Sequence, residues 1–187
     1  MIPIRNKKKT LQVTVEEMRN FAFAYVEKYA PSKQQLKTYL LKKYLKTSIT
    51  NVKKQDVNNL IDIVLSDLEK NKFINDKFYS ETKAKSMIRR GNSINKIRSY
   101  LIAKGIRDDF IKETVSKIQD ENSDQDFFSA IKICKKKRIG PARVNDNRAL
   151  FYKKDISLLA RNGFDFETSK KIMDLEKEDY LKIIKLL

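Results

Sequence analysis

Apolar residues recur along this chain at spacings of three and four almost throughout, the period of helices that turn one face to a core. Thr14-Val15-Glu16-Glu17 has the form of a capping box, and Met18, Phe21, Ala22, Tyr25 and Val26 follow on one face, which predicts a first helix ending before Pro31. Ser32-Lys33-Gln34-Gln35 is a second cap, followed in helical period by Leu36, Tyr39, Leu40, Lys43 and Tyr44. Val57, Leu60, Ile61, Val64, Leu65 and Leu68 make a third stripe. Asp76 is expected to cap a fourth helix ending near Gly91, Ser93 a fifth ending at Gly105, and a sixth runs from about Asp108 to Glu121. With only 4 glycines and 3 prolines, the connections should be short and the fold all-α.

The pattern repeats. Ser32-x3-Leu36-x2-Tyr39-Leu40-x2-Lys43 returns as Ser93-x3-Ile97-x2-Tyr100-Leu101-x2-Lys104, an offset of 61 residues with every spacing kept. Its end, Tyr100-Leu101-Ile102-Ala103-Lys104-Gly105-Ile106, returns again as Leu158-Leu159-Ala160-Arg161-Asn162-Gly163-Phe164. Such periodicity is the signature of tandem supersecondary units that bury their faces against one another. It predicts an elongated array: a basic flexible arm over 1–13, three-helix repeats over 14–70 and 71–122, and a third repeat with a C-terminal helix over 123–187.

Charge narrows the range of partners. Lys and Arg number 41 against 24 Asp and Glu, a net charge of +17, and cations outnumber acids in every third of the 187 residues. The counterpart of such a chain is a polyanion: nucleic acid, an anionic membrane or an acidic protein. Catalysis has little to stand on. There is no His, the lone Cys134 sits in an apolar-periodic stretch as a core residue would, no glycine-rich phosphate loop occurs, and one cysteine cannot build a zinc site. Asp108-Asp109 and Asp120-Glu121 lie at helix ends, where capping and solvation account for them. No metal, cofactor or small-molecule substrate is expected. The start of the chain lacks the apolar core of a signal peptide and nowhere do 18 apolar residues run together, so a cytoplasmic, non-membrane protein is expected.

Candidate binding residues follow the cations. Arg89 and Arg90 close the fourth helix, and Lys96, Arg98 and Lys104 lie on the fifth. Lys135, Lys136, Lys137 and Arg138 form the densest run, before a break at Gly140-Pro141 and then Arg143. Lys153, Lys154 and Arg161 complete the set. Lys7, Lys8 and Lys9 read as solubilising sequence in the arm. Phe21 and Tyr25 share a face from which Phe23 points away, so Phe23 is expected to be exposed or to lie between repeats, while most other aromatics belong to cores.

The blocks Ile74-Asn75-Asp76-Lys77-Phe78-Tyr79-Ser80, Gly91 to Ile106 and Leu158 to Phe164 together resemble the RecX family, bacterial regulators of the RecA recombinase. The likeness spans about residues 14–175. Ser80 stands where the family commonly has Ala, and Asn162 precedes Gly163 where Arg is usual. The resemblance implies tandem three-helix units without enzymatic activity. It also implies binding in the groove of a RecA filament on single-stranded DNA, damping its ATPase, coprotease and strand-exchange activities, and the chain itself is expected to be a monomer. The competing expectation is a direct DNA binder built of helix-turn-helix-like modules, with Asn92, Asn95 and Arg98 reading bases from the fifth helix.

Overall fold

The computed structural model describes residues 11–46 and 53–187. They form ten α-helices and no strand: α1 (Val15–Tyr29), α2 (Lys33–Lys46), α3 (Lys54–Lys70), α4 (Asp76–Arg89), α5 (Ile94–Ala103), α6 (Asp108–Glu121), α7 (Gln125–Lys137), α8 (Asn145–Arg161), α9 (Phe166–Met173) and α10 (Lys177–Leu186). A 3-10 turn, Gly140–Ala142, separates α7 from α8. The chain divides into two compact units, Met1–Asp76 and Lys77–Leu187. Lys7, Lys8 and Lys9 lie outside the described residues.

In the first unit α1, α2 and α3 close around Met18, Ala22, Leu36, Leu40, Tyr44, Ile61, Leu65 and Leu68, the residues of the three apolar stripes. Leu11 and Val13, just before α1, pack on the same core. The N-terminus of α2 is held twice. Ser32 Oγ accepts from the Gln35 N–H (3.2 Å) while Gln35 Oε1 accepts from the Ser32 N–H (3.1 Å), a complete capping box. At α1 the box is half made: Thr14 Oγ1 accepts from the Glu17 N–H at 3.3 Å, while Glu17 Oε2 has no hydrogen-bond partner.

One expectation is corrected here. Asp76 does not cap α4 but is its first residue, and its carboxylate accepts from the Lys33 N–H of α2 at 2.8 Å. A free N–H at a helix N-terminus attracts a carboxylate wherever the fold supplies one, and here that carboxylate is 43 residues away in sequence. Phe23, expected to be exposed or to lie between repeats, is half-buried and packs edge-on against the exposed Phe73 with centroids 4.9 Å apart, at the margin of the core.

Ala30 ends α1 in the left-handed region, φ 41° and ψ 60°, which an L-residue with a Cβ enters at a cost of about 1–2 kcal/mol. Gly91 holds the corresponding place 61 residues on, at φ 79°. Ala30→Gly is therefore expected to stabilise the first unit by about 0.5–1 kcal/mol in urea denaturation, the gain being trimmed by the greater freedom of glycine in the unfolded chain. A loss of stability would refute this reading of the turn.

The second unit holds two cores. Ala84, Ile97, Leu101, Ile111 and Val115 join α4, α5 and α6. Ala130, Ile131, Cys134, Leu159, Phe164, Ile172 and Tyr180 join α7 to α10. The repeated segments end their helices alike: the Ile106 N–H returns to the Leu101 carbonyl at 3.1 Å and the Phe164 N–H to the Leu159 carbonyl at 3.3 Å, each across a left-handed glycine, Gly105 or Gly163. This is the six-to-one closure of a Schellman turn, and the glycine is its requirement.

Candidate partner interface

The site is built around the start of α5. Ser93 Oγ accepts from the Lys96 N–H at 3.1 Å and donates to the Asn162 carbonyl, in the α8–α9 turn, at 2.8 Å. The Ile94 N–H donates to Asp126 Oδ1 of α7 at 2.8 Å, the counterpart of the bond from Lys33 to Asp76. Burial pushes the Asp126 carboxyl up, the Ile94 N–H opposes that, and the nearby charge of Asp165 adds to the rise. Gly91, before the cap, lies so close to α7 that a Cβ there would stand 2.9 Å from the Ser129 carbonyl and 3.0 Å from Lys132 Cβ.

These contacts decide which cations meet. The α4–α5 turn, which carries Arg89 and Arg90, is laid against Lys132, one turn ahead of Lys135 and Lys136 on α7. The bonds from Ser93 to the α8–α9 turn bring Arg161 beside the first turn of α5. Arg89, Arg90, Lys135, Lys136, Lys137, Arg138 and Arg161 are all exposed. None of them forms an ion pair with a described residue. Arg138 closes α7 in the left-handed region, φ 54°, so its backbone departs from the helix that carries the three lysines. Exposed cations at the ends of α4, α7 and α8 thus belong to helices joined at the start of α5, an arrangement suited to a polyanion.

Other candidates lie apart or are committed inside the fold. Arg98 is exposed further along α5, and Lys153 and Lys154 are exposed about two turns before Arg161 on α8. Lys104 rests over the Tyr100 ring, 5.2 Å from its centroid. Lys96 Nζ donates to Asn162 Oδ1 at 2.9 Å. Arg143 makes a two-pronged pair with the buried Asp155, Nε to Oδ2 at 2.6 Å and Nη2 to Oδ1 at 2.8 Å, and its guanidinium stacks on Phe151. Asp155 Oδ2 also accepts from the Gly140 N–H at 2.8 Å. Burial alone would raise the Asp155 carboxyl, but Arg143 and the Gly140 N–H outweigh it and hold the group below the usual aspartate range.

The base-reading arrangement expected of α5 is absent. Asn92 Nδ2 donates to the Met87 carbonyl at 2.9 Å and Asn95 Nδ2 to the Gly163 carbonyl at 3.2 Å. With α7 and the α8–α9 turn packed on its first turn, α5 cannot present that end to a DNA groove. The reading of the aromatics as core residues passed over Tyr25, Tyr29 and Tyr39, which are half-buried or exposed. The available clue was the i, i+4, i+8 run of Phe21, Tyr25 and Tyr29 beside lysines.

Among the described residues no helix is long and apolar enough to cross a membrane, and no group of three or more Cys, Asp or Glu could hold a metal ion. No family model matches the chain. It is 30% identical over 173 residues to the regulatory protein RecX of Myxococcus xanthus, covering 91% of both chains. It is 30% identical over 108 residues to the regulatory protein RecX of Agrobacterium fabrum, covering 58% of this chain and 55% of that one. A crystal structure of regulatory protein RecX superposes with a TM-score of 0.61 at 18% identity, covering 86% of this chain and 74% of that one, which marks a common fold. Likeness at 30% identity across nine-tenths of both sequences settles the family: the chain belongs to the RecX family of regulatory proteins.

Proposed function

We propose that this protein regulates the RecA recombinase by lying in the groove of the RecA filament on single-stranded DNA, where it damps ATP hydrolysis, coprotease action and strand exchange. The observation that carries this reading beyond family membership is the set of exposed cations at the ends of α4, α7 and α8 that form no ion pair with a described residue: Arg89, Arg90, Lys135, Lys136, Lys137, Arg138 and Arg161. A filament groove offers acidic protein surface and phosphates, and it offers them repeatedly. Modest contacts spread over several helices gain affinity there by effective concentration and favour the filament over free RecA. Lys96 and Arg143, committed inside the fold, help to hold the presenting surface in shape.

The test is RecA ATP hydrolysis on single-stranded DNA with added protein across a salt series, alongside binding to the same DNA without RecA. Substoichiometric loss of ATPase is expected, and the variant K135E/K136E/K137E should need about tenfold more protein for the same effect while keeping the helical circular dichroism of the parent. An unchanged ATPase rate with tight, salt-sensitive binding to naked DNA would overturn the proposal.

A further inference from the structure

The joint between α5 and the α8–α9 turn is built on the sequence's one Asn-Gly pair, Asn162-Gly163. Each residue has a structural reason to be there. Gly163 takes the left-handed conformation that closes α8. Asn162, half-buried, is tied three ways: its carbonyl accepts from Ser93 Oγ at 2.8 Å, its Oδ1 accepts from Lys96 Nζ at 2.9 Å, and its Nδ2 donates to the Leu158 carbonyl at 2.8 Å.

The same two residues make a reactive pair. Because glycine has no side chain to obstruct its nitrogen, that nitrogen can reach Cγ of a preceding Asn whenever the backbone is free to turn. Forming the nitrogen–Cγ bond expels ammonia and closes a five-membered succinimide. Water then opens the ring at one of its two carbonyls, leaving either aspartate or isoaspartate, in which the main chain runs through the former side chain. Nothing but water is consumed. In the fold both reactants are kept off this path. The Gly163 N–H donates to the Ala160 carbonyl at 2.8 Å, while Lys96 and Leu158 hold the two ends of the amide. At the ψ of 4° that Asn162 adopts, the Gly163 nitrogen eclipses Asn162's own nitrogen and lies well round from Cβ, so the ring cannot close until the turn rotates.

We infer that Asn162 is a site of spontaneous deamidation whose rate is set by opening of the joint that Ser93 and Lys96 hold shut. Either product reworks that joint. Aspartate turns the bond from Lys96 into an ion pair but loses the donor to the Leu158 carbonyl. Isoaspartate adds a methylene to the main chain and carries the carbonyl away from Ser93. Both place a negative charge directly after Arg161. The inference concerns the chain by itself and does not rest on RecA.

The experiment incubates the full chain in mildly alkaline buffer, folded or unfolded in guanidinium chloride, and samples it over time. Trypsin cuts after Arg161 and Lys170, so the peptide NGFDFETSK carries the site. Its mass gain from amide to acid, split between two chromatographic forms, measures the reaction. The folded chain should react about tenfold or more slowly than the unfolded one, because only opened molecules can close the ring. Lys96→Met, which keeps the apolar stem but drops the bond to Oδ1, should speed the folded reaction about threefold or more by making local opening easier. Cys134, buried in the same unit, separates local from global opening: its reactivity with a disulfide reagent should stay at the parent level in Lys96→Met. Equal rates in the folded and unfolded chain, an unchanged rate in Lys96→Met, or a rise matched by Cys134 reactivity would overturn the inference.

Discussion

Asp155→Ala is expected to cost the second unit about 3–5 kcal/mol, because one buried carboxylate serves both the buried Gly140 N–H and the partly buried Arg143 guanidinium. Its removal leaves the Gly140 N–H without an acceptor in the α7–α8 turn and strands the Arg143 guanidinium, of which only 21% of the side chain is exposed. The two losses are coupled, so R143A/D155A should cost clearly less than the sum of the single variants. The measurement is urea denaturation followed by circular dichroism, with Cys134 as a second probe. Burial, reinforced by the charge of Asp155, pushes that thiol up to about 12, so it should react with a disulfide reagent only once the unit opens. If the urea midpoint of Asp155→Ala matches that of the parent, the pair is not a structural element.

The same group predicts a dependence on pH. Its folded carboxyl titrates below the ordinary aspartate value of about 3.9, so the stability it contributes is fully present above that value and is lost as pH falls through the lower folded one. Acid unfolding of the second unit should therefore be shallower in Asp155→Asn, which keeps an acceptor for Gly140 but cannot titrate.

Gly163→Ala should be the most damaging of the small substitutions, at about 2–4 kcal/mol. Gly163 sits at φ +87°, where an L side chain is strained by about 1–2 kcal/mol, and a Cβ there would stand 2.5 Å from Ser93 Oγ and 3.1 Å from the Lys96 nitrogen. The added methyl group would thus force the α8–α9 turn away from the α5 cap and break the bond from Ser93 to the Asn162 carbonyl. Placing Gly163→Ala in a Ser93→Ala background should recover the part of the cost that comes from the clash and leave the part that comes from φ. Strict additivity of the two substitutions would show that the joint between α5 and the α8–α9 turn is not under this steric control. Because Arg161 directly precedes that turn, the same variant should also weaken the proposed effect on RecA beyond what unfolding explains.

Much of the fold was legible because helices announce themselves locally. The stripes Val57 to Leu68 and Met18 to Val26 are periodic in the sequence and converge on one core in the structure, and Ser32 and Ser93 cap the helices their neighbours predicted. The glycines at 91, 105 and 163 end helices in the left-handed region, as residues lacking a Cβ readily do. A helix cap or a C-terminal turn is decided by residues three to six apart, so the order of residues alone determined the all-α class, the repeat and the excess of positive charge.

Which cations remained available was decided only by tertiary contacts. In the sequence Arg138 and Arg143 are nearby cations on either side of Gly140-Pro141, both candidates for a partner, yet in the fold Arg143 is taken by Asp155, 12 residues away, and Arg138 is left in solvent. Lys96 and Asn95 read as surface residues of α5 until Asn162 and Gly163, more than 60 residues on, engage them. Asp76 looked like a cap for its own helix and caps α2 instead. Charge and helical period are properties of a residue and its neighbours, whereas pairing depends on which distant groups packing brings within hydrogen-bond distance. Composition therefore determined the excess of positive charge that suits this protein to a polyanion, and only the folded structure decided which cations pair inside it.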